Sequence, residues 1–150
     1  MTAISEVIAT AELRGKERDL PYTGALLPAE AYELLQQIPS AKLVDVRTRA
    51  EWDYVGRIPG AAQIEWQTYP SGQLNPRFLD ELEAQVDRES VVMFICRSGA
   101  RSHAAAVAAA RAGYSQVFNV LEGFEGDRDP QGHRNTIGGW RAAGLPWVQS

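Results

Sequence analysis

Val91-Val92-Met93-Phe94-Ile95-Cys96-Arg97-Ser98-Gly99-Ala100-Arg101-Ser102 passes from an unbroken apolar run, through a short polar loop, into an alanine-rich tract. The run is too short for a surface helix and shows no alternation. It therefore reads as a strand buried on both faces, the kind found at the centre of a parallel sheet. The tract from Ser102 to Arg111 carries six alanines around Val107, a strong helical signal, and its small side chains allow close approach to a sheet. Gly113 ends it.

Cys96 closes the strand, and in open parallel sheets ligands bind at the carboxyl ends of the strands. Backbone N–H groups and a helix N-terminus at that junction favour thiolate over thiol, which makes Cys96 a candidate nucleophile. Gly99 gives the loop access to backbone conformations closed to other residues, so that N–H groups can approach the sulfur. Arg101 breaks a local rule, because a cation in the first turn of a helix is disfavoured by roughly 0.3–1 kcal/mol. The expected compensation is an anion held between Arg97, Arg101 and the loop N–H groups: the thiolate itself, a persulfide or an oxyanionic substrate.

Outward from this loop, strands and helices alternate. Leu27-Pro28-Ala29-Glu30 opens a helix that Pro39 stops, with proline at its first position and acid in its first turn. Lys42 to Val46 reads as a strand, Thr48 to Val55 as a short helix, and Ala61 to Trp66 as a further short strand after the turn Ile58-Pro59-Gly60. Phe78, Leu82 and Val86, four apart, place one face of a helix between Pro76 and Val86. Gln116 to Val120 is the last clear strand, and Trp140 to Ala143 suggests a closing helical turn. Residues 1–20 are a polar lead with Ile4, Val7, Ile8 and Leu13 near helical spacing, either a docked helix or a frayed arm. The alternation predicts an α/β layered domain with a mainly parallel sheet.

The 150 residues suit one compact domain of ordinary soluble composition. A net charge of −4 argues against general binding to nucleic acid or to an anionic membrane. No stretch approaches the roughly 18 apolar residues of a membrane span, and the first residues lack the marks of a signal peptide. A cytoplasmic location is the expectation. The single cysteine cannot form an internal disulfide and is left for chemistry. With no CxxC and only His103 and His133 as imidazoles, neither a metal site nor a cofactor is expected.

Cys96-Arg97-Ser98-Gly99-Ala100-Arg101-Ser102 resembles the active-site loop of rhodanese-domain sulfurtransferases. Leu43-Val44-Asp45-Val46-Arg47, Glu51-Trp52 and Gly56-Arg57-Ile58-Pro59-Gly60-Ala61 resemble that family's upstream motif. Asn119-Val120-Leu121-Glu122-Gly123 and Gly139 to Pro146 resemble its C-terminal part, so the likeness spans about residues 27–147. The resemblance implies one rhodanese domain over residues 21–150, with a five-stranded, largely parallel sheet flanked by helices. It further implies that Cys96 takes sulfane sulfur as a persulfide, with Arg97, Ser98, Gly99, Ala100, Arg101 and Ser102 binding the substrate, and passes it to a thiophilic acceptor. In family terms the donors are thiosulfate, polysulfides or protein persulfides, and the acceptors are cyanide, small thiols or partner proteins.

Related phosphatases and arsenate reductases place one more residue between cysteine and arginine. Here four intervene, which by that resemblance suits sulfur better than phosphate. A third reading is a sulfur-carrier or protein-binding module without turnover of its own. Two features depart from the family pattern: Arg57 stands where a histidine is usual, and the stretch from Glu122 to Trp140 is longer than normal. The segment 123–139 is expected to be a solvated hairpin or a contact for a protein donor or acceptor. Asp45 and Arg47 are expected to pair structurally, His103 to be exposed, and Trp52, Trp66 and Trp140 to pack the core or the pocket rim.

Overall fold

The computed structural model describes residues 3–149. In chain order the elements are α1 (Ile4–Glu17), β1 (Gly24–Leu26), α2 (Pro28–Gln37), β2 (Lys42–Asp45), α3 (Arg49–Tyr54), β3 (Ala62–Gln63), α4 (Phe78–Gln85), β4 (Val91–Ile95), α5 (Ala100–Arg111) and β5 (Gln116–Val120). The sheet has the order β1-β5-β4-β2-β3, and every neighbouring pair is parallel. β4 lies at the centre and is buried along its whole length, as its apolar run requires.

Because successive strand side chains point to opposite faces, β4 divides its residues between two cores. Val91, Met93 and Ile95 join Leu26, Leu43, Phe118 and Val120 beneath α1, α2 and Trp140. Val92, Phe94 and Cys96 join Val44, Val46 and Val117 beneath α4 and α5. Cys96 thus faces the alanine side of α5, where Ala105, Ala106 and Ala109 are fully buried. Small side chains there bring the helix close to the strand that carries the sulfur.

The parallel five-stranded sheet flanked by helices is the fold the sequence implied. The fifth strand, β1, was not anticipated from its own residues: Gly24-Ala25-Leu26 is short and pairs with β5 alone, at the sheet edge. It is made by α1, which docks through Val7, Ala11 and Gly15. A Cβ on Gly24 would stand 2.2 Å from the Ala11 carbonyl oxygen, so glycine sets how closely the helix lies on the strand. Leu13, placed on the apolar stripe by spacing, faces solvent instead. The strand expected over 61–66 forms a ladder only at Ala62–Gln63, although Ile64 and Trp66 continue to donate to the Asp45 and Val46 carbonyls. Among the described residues no helix is long and apolar enough to cross a membrane.

Candidate active site

The chain leaves β4 at Cys96, which is 2 % exposed. Gly99 turns the loop with φ +120° and donates its N–H to Cys96 Sγ at 3.1 Å. α5 then begins at Ala100, two residues earlier than propensity suggested, with Gly99 as N-cap. Among the described residues the N–H groups of Ser98, Ala100, Arg101 and Ser102 have no protein acceptor, which leaves a set of unpaired donors in the loop and the first turn of α5.

Beneath the sulfur lies a satisfied polar group. Ser102 Oγ sits 3.3 Å from Cys96 Sγ and donates to Asn119 Oδ1 at 2.6 Å, while Asn119 Nδ2 donates to the Gly99 carbonyl at 3.3 Å. Ser102 is fully buried, so its hydroxyl serves the loop from below and does not line an open pocket. Tyr22 closes this side: its hydroxyl meets His103 Nδ1 at 2.7 Å, and burial raises its pKa against the opposing effect of Asn119 and Arg18. His103 is exposed, as expected, yet anchored.

The loop is also held from behind by the chain after β5. Phe124 N donates to the Cys96 carbonyl at 2.8 Å and Glu125 N to the Arg97 carbonyl at 3.0 Å. Gly123 makes that approach, with φ +67° and a Cβ position that would lie 2.5 Å from Cys96 O. Phe124 is fully buried and carries the Arg47 guanidinium 4.1 Å from its ring centre. Arg47 and Asp45 form the structural pair that was expected, Nη2 to Oδ2 at 2.8 Å, and neither side chain reaches solvent. The segment 123–139 is no simple hairpin. Asn135 N donates to the Glu125 carbonyl, Arg134 to that of Gly126, and Gly139 N to Glu122 Oε1, so both of its ends are pinned beside the loop.

Arg101 corrects one expectation. Its guanidinium is taken by the Glu51 carboxylate in a bidentate pair, at 2.7 and 2.9 Å, so the compensating anion belongs to the chain itself. Burial works against both charges. For Glu51 it is outweighed by the hydrogen bonds and charge of Arg101, the Thr48 N–H and the charge of Arg47, which together hold the carboxyl below its ordinary range. The Arg101 cation is held above its ordinary value by Glu51 first, then by the Cys96 and Asp45 sites. Arg97 is exposed and, among the described residues, has no ion pair or side-chain hydrogen bond. Ala100 is also exposed, while Ser98 and Gly99 are half-buried.

Glu51 and Asn119 join the site although the loop motif does not include them. Thr48-x-x-Glu51 is legible as a helix capping box, and the structure forms it, with Thr48 N and Oγ1 donating to Glu51 Oε1. Its reach to Arg101, fifty residues on, exists only in the fold. Beside the loop lies an open cleft of about 600 Å³, lined by residues of α3 and the 67–72 turn together with Arg97, Arg101, Glu125 and Arg134. Cys96 is buried and does not line it. Among the described residues no three His, Cys, Asp or Glu side chains gather as metal ligands.

A parallel α/β sheet whose central strand ends in a buried cysteine, with a short donor-rich loop capping the next helix, defines a class of cysteine-loop domains. Within it the chain belongs to the rhodanese-like domain family, whose sequence profile matches residues 27–129. An uncharacterised protein of Rickettsia conorii is 38 % identical over 120 residues, covering 79 % of this chain and 91 % of that protein. The thiosulfate sulfurtransferase GlpE of Actinobacillus succinogenes is 29 % identical over 121 residues, covering 81 % of this chain and 86 % of its own length. The crystal structure of Rv0390 from M. tuberculosis superimposes with a TM-score of 0.79 at 45 % identity, covering 86 % of this chain and 99 % of that one.

Proposed function

We propose that the protein is a sulfurtransferase that carries sulfane sulfur as a persulfide on Cys96. The observation that carries this reading is the loop itself: a sulfur already accepting the Gly99 N–H at 3.1 Å, beside four further N–H groups without a protein acceptor. Those donors suit a negatively charged outer sulfur. With thiosulfate as donor, the Cys96 thiolate attacks the sulfane sulfur, a new S–S bond forms, and sulfite leaves with the electron pair of the broken bond. An acceptor nucleophile then takes the outer sulfur and returns Cys96 as thiolate. The relationship to a thiosulfate sulfurtransferase supports the chemistry, while donor and acceptor are part of the proposal.

Arg101 supports sulfur over phosphate. A phosphate-binding loop uses its arginine to clamp the oxyanion, and here Glu51 already takes that guanidinium through both oxygens. The test is intact-mass spectrometry of the whole chain after incubation with thiosulfate. A gain of about one sulfur mass, removed by cyanide and absent from Cys96→Ala, is the expected result. No gain with thiosulfate, polysulfide or a persulfide donor overturns the reading, and Cys96-dependent hydrolysis of an aryl phosphate would replace it with phosphatase chemistry.

A further inference from the structure

We infer that Asn119 is a positioning residue for the transfer: by holding the one hydrogen of Ser102, it keeps the waiting Cys96 protonated until a sulfur donor arrives. Its place in the reaction rests on the sulfurtransferase reading; its chemistry rests on counting hydrogens. β5 lies between β1 and β4, and the neighbours of Asn119 along it, Val117, Phe118 and Val120, are buried hydrophobics. An amide at 5 % exposure among them costs free energy unless its polar atoms find partners. Asn119 pairs in register with Phe94, two residues before the cysteine, and its side chain meets the loop on the α5 face of the sheet.

Gly99, Cys96, Ser102 and Asn119 close a ring. The Gly99 N–H donates to Cys96 Sγ at 3.1 Å, Sγ stands 3.3 Å from Ser102 Oγ, Ser102 donates to Asn119 Oδ1 at 2.6 Å, and Asn119 Nδ2 donates to the Gly99 carbonyl at 3.3 Å. The Gly99 carbonyl can only accept, so it sets which end of the amide faces it and leaves Oδ1 for Ser102. Ser102 has a single hydrogen and three acceptors in reach: Asn119 Oδ1, the Gly99 carbonyl at 3.1 Å, and the sulfur. Asn119, the nearest, takes it, since the Gly99 carbonyl already accepts the His103 N–H. Ser102 therefore turns lone pairs to Sγ. A thiol completes the ring by donating into them, whereas a bare thiolate is opposed by them unless Ser102 gives up its 2.6 Å bond.

The charged and titratable groups near the sulfur are already engaged. Arg101 is paired with Glu51, Arg47 with Asp45, Tyr22 is hydrogen-bonded to His103, and Arg97 is exposed. Among the described residues Ser102 is the side chain that hydrogen-bonds to Sγ. A persulfide escapes the conflict: its inner sulfur carries no hydrogen, its charge sits on the outer sulfur, and Ser102 keeps its bond to Asn119. With thiosulfate as donor, a thiol and a thiosulfate dianion give a persulfide anion and hydrogen sulfite. The S–S bond of thiosulfate breaks as the bond to Cys96 Sγ forms, and sulfite leaves with the electron pair and the proton the ring had held, with no outside oxidant.

The ultraviolet absorbance of the thiolate, followed across pH on the full chain with Cys96→Ser as blank, reads the proton itself and does not depend on access to the sulfur. Asn119→Leu keeps the bulk of the side chain and removes the acceptor, so the thiolate-to-thiol ratio at a given pH should rise about 3–10-fold, the worth of one hydrogen bond. Asn119→Asp keeps an acceptor for Ser102 and should show no such rise. In a Ser102→Ala background the effect of Asn119→Leu should vanish, because no hydroxyl hydrogen is left to free. Circular dichroism checks that each variant is folded, and Asn119→Ala, which also lacks the acceptor, replaces the leucine variant if that one does not fold. A ratio that Asn119→Leu leaves unchanged or lowers, an equal rise in Asn119→Asp, or a rise that survives in the Ser102→Ala background would overturn the inference. Persulfide mass measured on the wild-type chain separates the two readings: persulfidation with an unmoved ratio removes the role of Asn119 alone, and a moved ratio with no persulfide from any donor removes the sulfurtransferase reading.

Discussion

Replacing Gly123 by alanine tests whether the chain after β5 is what holds the Cys96 loop in shape. The residue has φ +67°, and an added Cβ would lie 2.5 Å from Cys96 O and 2.6 Å from both C and O of Arg97. All three are backbone atoms, so no flexible side chain can swing aside. A left-handed alanine costs about 1–2 kcal/mol on conformation alone. Relieving the clash must then lengthen the Phe124 and Glu125 hydrogen bonds to the Cys96 and Arg97 carbonyls, at about 1 kcal/mol each. The sum is about 3–4 kcal/mol, and for a domain of this size each kcal/mol lowers Tm by roughly 2–4 °C, giving a fall of about 6–16 °C.

Gly132→Ala is the matched control. Gly132 has φ +81° but nothing within 4 Å of its Cβ position, so it bears the conformational cost of about 1–2 kcal/mol without the clash. Thermal unfolding followed by circular dichroism should therefore rank wild type above Gly132→Ala and Gly132→Ala above Gly123→Ala. The rate of persulfide formation, read by mass spectrometry, should fall on the order of 10-fold or more in Gly123→Ala, because displaced carbonyls shift the nucleophile, and stay near wild type in the control. Equal loss of Tm in the two variants, or undiminished persulfidation in Gly123→Ala, would refute the claim that this contact shapes the loop.

Three further perturbations follow from the same contacts. Glu51 has a lowered folded-state pKa, so the stability it contributes is complete above the unfolded carboxylate value of about 4.3 and is lost as pH falls through the lower folded value. Urea unfolding should accordingly show a wild-type advantage over Glu51→Gln at pH 7 that shrinks from about pH 5 downward, and a pH-independent difference would contradict the ion pair with Arg101. Asp45→Asn leaves the buried Arg47 cation without its counter-ion and should cost about 3–5 kcal/mol in denaturant unfolding, whereas a loss under about 1 kcal/mol would mean that Phe124 and the Gly56 carbonyl suffice to hold Arg47. Ser102→Ala strips Asn119 Oδ1 of its donor and Cys96 Sγ of its neighbour, so stability should fall by about 1–3 kcal/mol and the rate of Cys96 alkylation by iodoacetamide should change with it; an unaltered alkylation rate would show that Ser102 serves the loop scaffold alone.

What was legible in the sequence and what was not divides along sequence distance. The strand Val91 to Ile95, the alanine helix and the turn at Gly99 are encoded by neighbouring residues, and each forms within two residues of where the pattern puts it. β1 is encoded elsewhere: Gly24-Ala25-Leu26 becomes a strand because α1 covers it and β5 offers an edge, and neither fact is written in three small residues. The same holds at the site. Arg101 at the helix start reads from sequence as a cation needing an anion, since the helix dipole makes that a local conflict. The anion is Glu51, set in place by Thr48 on another helix, and the contact between the two closes only when β2 and β4 pair. Arg134, which lines the same cleft as Arg97 and Arg101, is likewise set by distant pairing: the 123–139 segment that carries it is held beside the loop by the Glu125, Gly126 and Glu122 contacts, and no local pattern in that segment encodes them.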